Sequence, residues 1–439
     1  MHTYLFVDAD IYFDGKLQKM NLGVTGNKIS YVGYDKPEAK EEISMRGLSI
    51  FPGFIDSQVH FREPGLTHKE DIEHGSRGAA LGGITGFFEM PNTKPPTISK
   101  ETMQDKLNIA DRVSFTNYAF YAGATKENIT ELDEIRKMPG VCGIKIFMGS
   151  STGSLLLSQD SEIEKVLASV NSPIAVHSED EDMLVERKHI AEDAKNVFAH
   201  PKWRNHEVAM TSTKRLIALA EKTNKKIHIL HITTSDEIEY LSNKKHICSF
   251  ELTPQHLSLS APEAYEKLGT FAQMNPPIRD KSHTNALWKA VEQKSFDVFG
   301  SDHAPHTKEE KKKAYPESPS GMPGVQTMLP VLLTHVIDGK LPMDTLVNAL
   351  TKNVAEVFGL RETPEIKEGN TANLSVFDLK TERTIRHEWM ENKSAWTPFD
   401  GFKAKAWPIH TLINGGFAVR DEKLCLKQGR KYLFEHNLG

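Results

Sequence analysis

Hydrophobic and polar positions change their period twice along this chain. Over the first fifty residues short apolar runs alternate with polar positions and stop at turn residues: Tyr4-Leu5-Phe6-Val7, Ile11-Tyr12-Phe13 before Asp14-Gly15, then Lys28-Ile29-Ser30-Tyr31-Val32. A period of two marks antiparallel strands. The far end repeats the style in Asn373-Leu374-Ser375-Val376-Phe377-Asp378, Thr411-Leu412-Ile413 and Phe417-Ala418-Val419, with Asn414-Gly415-Gly416 as hairpin chemistry between the last two. Neither end is long enough to bury a core alone. Residues 1–49 and 361–439 are therefore expected to pair into one small β-sandwich-like domain.

From about 50 to 360 the texture changes to short apolar runs alternating with helical patterns, the signature of parallel βα units. Eight candidate strands fall at 49–55, 84–90, 116–121, 143–148, 174–176, 226–230, 247–252 and 296–300, with helical stretches at 67–81, 203–222, 282–293 and 324–337. Eight repeats in this length predict an α/β fold, a (β/α)8 barrel of the triosephosphate isomerase type over 50–360. Such barrels keep their chemistry at the carboxyl ends of the strands. Polar residues cluster there: His60, Asn92, Lys145, His177, His231 and Asp302 each stand in or just after a predicted strand. A lone histidine beside a strand is more often a hydrogen-bonded core group than a ligand. Six polar residues in register with strand ends are not explained by packing, because barrel interiors are filled by branched aliphatics.

Composition narrows the class. The 439 residues suffice for one large core and a smaller satellite, and no apolar run reaches membrane-spanning length. The amino terminus lacks a basic stretch followed by an apolar segment, so a cytoplasmic protein is expected. Cys142, Cys248 and Cys425 are widely spaced, which fits a reducing compartment and predicts buried, small apolar residues. Net charge is -5, and the basic run Lys311-Lys312-Lys313 follows Glu309-Glu310, so nucleic-acid binding has little support.

Three histidines, an aspartate and a lysine at neighbouring strand ends can form a site for one or two divalent ions, zinc above all. Bound zinc acidifies water and polarises carbonyls, so the implied class is metal-assisted hydrolysis. A protonated lysine is a poor ligand. Lys145 fits such a site once carboxylated into an anionic bridge; the plain alternative is a lysine paired with Asp302.

Several pieces carry a resemblance: Val59-His60-Phe61-Arg62-Glu63-Pro64-Gly65, Glu89-Met90-Pro91-Asn92-Thr93, Gly143-Ile144-Lys145-Ile146-Phe147-Met148, Val176-His177-Ser178-Glu179-Asp180 and His228-Ile229-Leu230-His231. Met274-Asn275-Pro276-Pro277-Ile278-Arg279, Ser301-Asp302-His303-Ala304-Pro305-His306 and Gly321-Met322-Pro323-Gly324-Val325 continue it. Over almost its whole length the chain resembles the dihydroorotases, metal-dependent cyclic amidohydrolases of pyrimidine biosynthesis. Hydantoinases and allantoinases share the histidines, lysine and aspartate; the Arg-Glu-Pro-Gly turn, Met-Pro-Asn-Thr, Asn-Pro-Pro-x-Arg and Asp-His-Ala-Pro-His favour dihydroorotase.

The resemblance implies reversible hydrolysis of dihydroorotate to carbamoyl-aspartate, with Asp302 taking a proton and returning it to the leaving nitrogen. It implies His177 and His231 on the more exposed metal, His60 and Asp302 on the more buried one, and Lys145, if carboxylated, on both. Arg62, Asn92, Asn275 and His306 are implied to bind substrate; Arg62, two residues beyond His60, would share its side of an extended strand and take a carboxylate bidentately. Glu179, Thr253 and His256 are candidates to orient ligands. Homodimers and association with aspartate carbamoyltransferase are further implications.

Two positions depart from the family pattern. Gln58 stands where the first metal-binding histidine is usual, and Gln255 where another often stands. Glutamine oxygen is a weaker zinc ligand than imidazole nitrogen. The enzyme could hold two metals with a weak Gln58 contact, work with one, or be a degenerate structural partner. Retention of Lys145, His177, His231 and Asp302, costly to bury without a metal, favours activity. Residues 306–323 are a candidate lid or a plain surface insertion.

Overall fold

Eight parallel strands stand at the centre of the molecule: Phe54–Val59, Ile84–Glu89, Asn117–Gly123, Val141–Phe147, Ile174–His177, Ile227–Ile229, Cys248–Leu252 and Val298–Phe299. Within the sheet each pairs with its neighbours in the sequence. This is a computed structural model, and it describes residues 1–149 and 155–438; position 439 of the expected composite domain lies outside them. Val59 bridges His303, and the His60 N–H donates to the His303 carbonyl at 2.7 Å, so the chain beyond strand eight returns to strand one and closes a (β/α)8 barrel. Among the described residues, no helix is long and apolar enough to cross a membrane.

The predicted strand at 49–55 is two strands in different sheets. Leu48–Pro52 pairs antiparallel with Leu374–Asp378, and Phe54–Val59 begins the barrel. Gly53 divides them: a Cβ there would stand 2.4 Å from Thr85 Oγ1 and 2.7 Å from Asn373 Cβ. The stretch from Ile50 to Ile55 is apolar and buried throughout, so the hydrophobic pattern runs through the break unmarked.

Leu48–Pro52 belongs to a nine-stranded sheet that runs Lys423–Leu424, Gly416–Arg420, Trp407–Ile413, Leu374–Asp378, Leu48–Pro52, His2–Phe13, Lys16–Thr25, Lys28–Gly33, with Ala39–Ser44 also on His2–Phe13. Alternate residues of this sheet serve two cores. Ile50 and Val376 pack with Phe6, Leu22 and Leu412, whereas Phe51 and Phe377 join the barrel cluster with Phe54 and Leu329.

The predicted helices appear as Ile72–Leu81, His206–Thr223, Lys281–Glu292 and Met328–Ile337. The first starts five residues late because Asp71 is its cap, accepting from the His74 N–H, while the residues before it build the site. The last starts late because the N–H groups of Gly324 and Val325 point at His303 Nδ1. Of the cysteines, Cys142 and Cys248 are buried and Cys425 is exposed, against expectation, since it follows an edge strand.

Candidate active site

A cavity of about 290 Å³ opens at the carboxyl ends of the barrel strands, lined by His60, Arg62, Asn92, Lys145, His177, His231, Asn275, Asp302 and His306 together with Gln58 and the stretch Pro319, Ser320, Gly321. All nine residues singled out from the sequence meet there. A larger cavity, about 790 Å³, lies at the opposite strand ends near Lys225, His228 and Cys248; barrel chemistry belongs to the carboxyl face.

The strand ends are bent to reach this point. Arg62, His231 and Asp302 have φ of 64°, 38° and 43°, left-handed conformations that cost free energy in residues with a Cβ. Arg62 therefore does not lie on an extended strand with His60, because strand one ends at Val59. It reaches the cavity through the turn instead.

Two close pairs of polar atoms face the cavity. His177 Nε2 lies 2.8 Å from Glu179 Oε2 and is the protonated nitrogen, so its Nδ1 presents a lone pair to His231 Nε2 at 3.1 Å. His60 Nδ1 donates to Asn92 Oδ1 at 2.7 Å, leaving Nε2 as an acceptor 3.3 Å from Asp302 Oδ1. Burial lowers the pKa of His60, His177 and His231 and so favours the neutral rings. Ligands about 2.0–2.1 Å from a tetrahedral ion stand roughly 3.3 Å apart, so both pairs are spaced as cation ligands. The donor set fits a divalent metal. Among the described residues no three His, Cys, Asp or Glu side chains are grouped to hold one by themselves.

Lys145 is buried, makes no hydrogen bond or ion pair among the described residues, and stands 4.5 Å from the Phe147 ring. The alternative of a direct pairing with Asp302 is thus not realised. Burial brings its pKa down to about 7, with Asp302 and Glu251 opposing. Gln58 turns its amide N–H to Asp302 Oδ1 at 3.0 Å, and its own Oε1 is buried without a partner.

An amidohydrolase family model matches residues 49–417. The chain belongs to the amidohydrolase family. It is 31% identical over 419 residues to a dihydroorotase of Methanothermobacter thermautotrophicus, covering 95% of each chain. A dihydroorotase of Pyrococcus abyssi is 30% identical over 417 residues, 94% of this chain and 95% of the relative. Among solved structures, the L-hydantoinase of Arthrobacter aurescens superposes with a TM-score of 0.93 at 24% identity, over 99% of this chain and 100% of that one. The dihydropyrimidinase of Brevibacillus agri gives 0.90 at 22%, over 98% and 99%. At those identities the likeness is one of fold.

Behind the cavity-lining residues of this amidohydrolase lies a supporting layer. Burial alone would raise the pKa of Glu179, but Arg204, bidentate at 3.1 and 2.6 Å, and then His177 hold it far below the usual carboxylate range. It is a fixed anion aimed at His177. Among the described residues Thr253 and His256 make no side-chain hydrogen bond to the cavity histidines: Thr253 Oγ1 lies 2.8 Å from His256 Nδ1, and His256 Nε2 donates to the Pro276 carbonyl at 3.0 Å, bracing the loop that carries Asn275. Gln255 donates to the Ser301 carbonyl at 2.7 Å.

Several residues of this amidohydrolase site were missed from the sequence. Arg204 and Lys69 lie far along the chain from what they touch and no motif marks them, while Glu251 opens the stretch Glu251-Leu252-Thr253-Pro254-Gln255-His256-Leu257 that matches the family but was given no role. Lys69 Nζ stands 3.1 Å from His306 Nδ1, so His306 carries its proton on Nε2 and donates to the Ser320 carbonyl at 3.0 Å. Glu251, beneath the site, meets the His231 N–H at 3.3 Å, and burial pushes its pKa well up. Lys311 is fully buried rather than part of a solvated basic run: its ammonium donates to the carbonyls of Gln273 at 3.0 Å and Pro319 at 2.8 Å. It ties the stretch 306–321 down as a wall of the cavity, so that stretch is no plain surface insertion.

Proposed function

We propose that this amidohydrolase is a dihydroorotase, opening the cyclic amide of dihydroorotate to carbamoyl-aspartate and closing it in reverse. One observation carries the reading. Arg62 lines the cavity at 7% exposure with no carboxylate in ion-pair distance among the described residues. Its Nε donates to the Pro305 carbonyl at 3.2 Å, and its Nη2 meets His306 Nε2 at 3.3 Å, a nitrogen that already carries a proton. Burial lowers its pKa only to about 10, so it stays charged. A buried guanidinium with its outer edge unpaired calls for an anion, and dihydroorotate has a carboxylate where hydantoins and dihydrouracil have none. The archaeal relatives named dihydroorotase support the same substrate.

A divalent ion bound by His177, His231 and Lys145 would polarise the ring carbonyl and lower the pKa of water. Zinc suits two imidazoles and a carboxylated lysine. An amine takes up carbon dioxide only when neutral, and burial of Lys145 favours that form. Gln58 holds Asp302 by Oδ1, leaving Oδ2 to receive the proton of the attacking water and pass it to the ring nitrogen. Arg62, Asn275 and His306 orient the substrate, while Asn92 acts through His60. Because Gln58 offers Asp302 a hydrogen-bond donor in place of a second imidazole, one tightly held ion per chain is our reading of the metal content.

The test is cyclisation of carbamoyl-aspartate by protein purified without chelator, alongside metal analysis. Turnover with about one zinc per chain supports the reading. Absence of both refutes it, and faster turnover of hydantoin or dihydrouracil moves the substrate to the ring without a carboxylate.

A further inference from the structure

His200 has no part in the chemistry described so far. It sits in the short helix His200–Trp203, fully buried, between the cavity wall and the loop bearing Asn275. Its Nε2 lies 3.0 Å from the Met274 carbonyl oxygen and 3.0 Å from Asn275 Oδ1, and its Nδ1 lies 3.3 Å from the Tyr315 hydroxyl. A main-chain carbonyl can only accept, so Nε2 carries the proton. Nδ1 is then a lone pair, and Tyr315 donates to it. The amide of Asn275 follows: its oxygen faces the ring N–H, because the opposite orientation would set an NH2 against an N–H. The donor end, Nδ2, is left for the cavity that Asn275 lines. Burial also keeps the ring neutral, with its pKa lowered to about 3.

We propose that His200, with Tyr315 setting its tautomer, is a positioning residue that makes Asn275 a hydrogen-bond donor toward the substrate. The group met there is therefore an oxygen, a ring carbonyl or a carboxylate, and a ligand presenting N–H at that point is rejected. The identity of that substrate rests on the dihydroorotase reading; the tautomer does not. The helix ends at Arg204, which holds Glu179 behind His177, so one short segment steadies both the substrate side and the metal side of the cavity.

The variants are His200→Leu, His200→Gln and Tyr315→Phe, each assayed for kcat and KM on dihydroorotate, with zinc content and thermal midpoint measured in parallel. His200→Leu is expected to raise KM about tenfold, the scale of one lost oriented hydrogen bond, with kcat and zinc content near wild type. His200→Gln can still donate to Asn275 and is expected to restore KM to within about threefold of wild type. Tyr315→Phe is expected to raise KM severalfold. Unchanged KM in His200→Leu overturns the proposal; if that variant does not fold, unchanged KM in Tyr315→Phe does so. The ¹⁵N shifts of the imidazole resonance lost in His200→Gln read the tautomer without substrate, and a proton on Nδ1 also overturns it. Absence of wild-type turnover would instead refute the substrate reading and leave the tautomer measurement to decide this one.

Discussion

Arg62→Met removes a buried cation whose outer nitrogens have no acceptor among the described residues, and it leaves the backbone turn as it is. The Nε bond to the Pro305 carbonyl is also lost. Hydrogen bonds to charged groups contribute roughly 1.5–3 kcal/mol each, and truncating one partner of a buried charged pair costs about 3–5 kcal/mol. A substrate carboxylate held bidentately by Arg62 therefore predicts a fall in kcat/KM for dihydroorotate of about two to three and a half orders of magnitude. Arg62→Lys keeps the charge but not the planar fork, and should fall between. The assay is a ratio. Dihydroorotate and an uncharged cyclic amide such as dihydrouracil are compared on the same preparations, with zinc content as a control. The uncharged ring has nothing to lose at Arg62, so the ratio should shift by nearly the full amount. Equal losses on both substrates would mean general damage to the cavity, and no loss on dihydroorotate would refute carboxylate recognition by Arg62.

Two further changes probe the metal corner and the cavity wall. Gln58→His exchanges the N–H donated to Asp302 for an imidazole beside His60 and Asp302, and should raise zinc from about one to about two per chain by elemental analysis; an unchanged count would show that Gln58 does not limit occupancy. Burial brings the pKa of Lys311 down to about 7 from the ordinary lysine value of 10.5. Between these values the unfolded chain binds the proton and the native chain releases it, so stability rises with pH, by at most about 1.4 kcal/mol per unit. Urea midpoints at pH 7.5 and 9.5 should show a smaller rise in Lys311→Met than in the parent protein; equal slopes would place the proton on Lys311 throughout.

The site was unusually legible because barrel geometry turns sequence position into spatial position. A polar residue at the carboxyl end of any βα strand points into one common space. Lys145, His177, His231 and Asp302 come from strands four, five, six and eight, and all line one cavity. What escaped is of a different kind. Arg204, Lys69, His200 and Lys311 act by filling a hydrogen-bond demand created elsewhere, and that demand exists only once distant segments are packed. The misread strand at 49–55 and the assumption of an extended Arg62 share a cause. Burial on both faces erases periodicity, and a turn in the left-handed region leaves no apolar pattern to read.

By itself, the sequence determined the alternation of strand and helix, the polar residues at strand ends and the family, because these depend on local period and on residue type. Only the tertiary structure decided which nitrogen of His177 and of His200 is protonated, that Gln58 donates to Asp302, that Asn275 is held by its oxygen and that Arg62 has no carboxylate in ion-pair distance among the described residues. Those follow from what each buried polar atom finds within about 3 Å, and burial makes every unmatched atom costly.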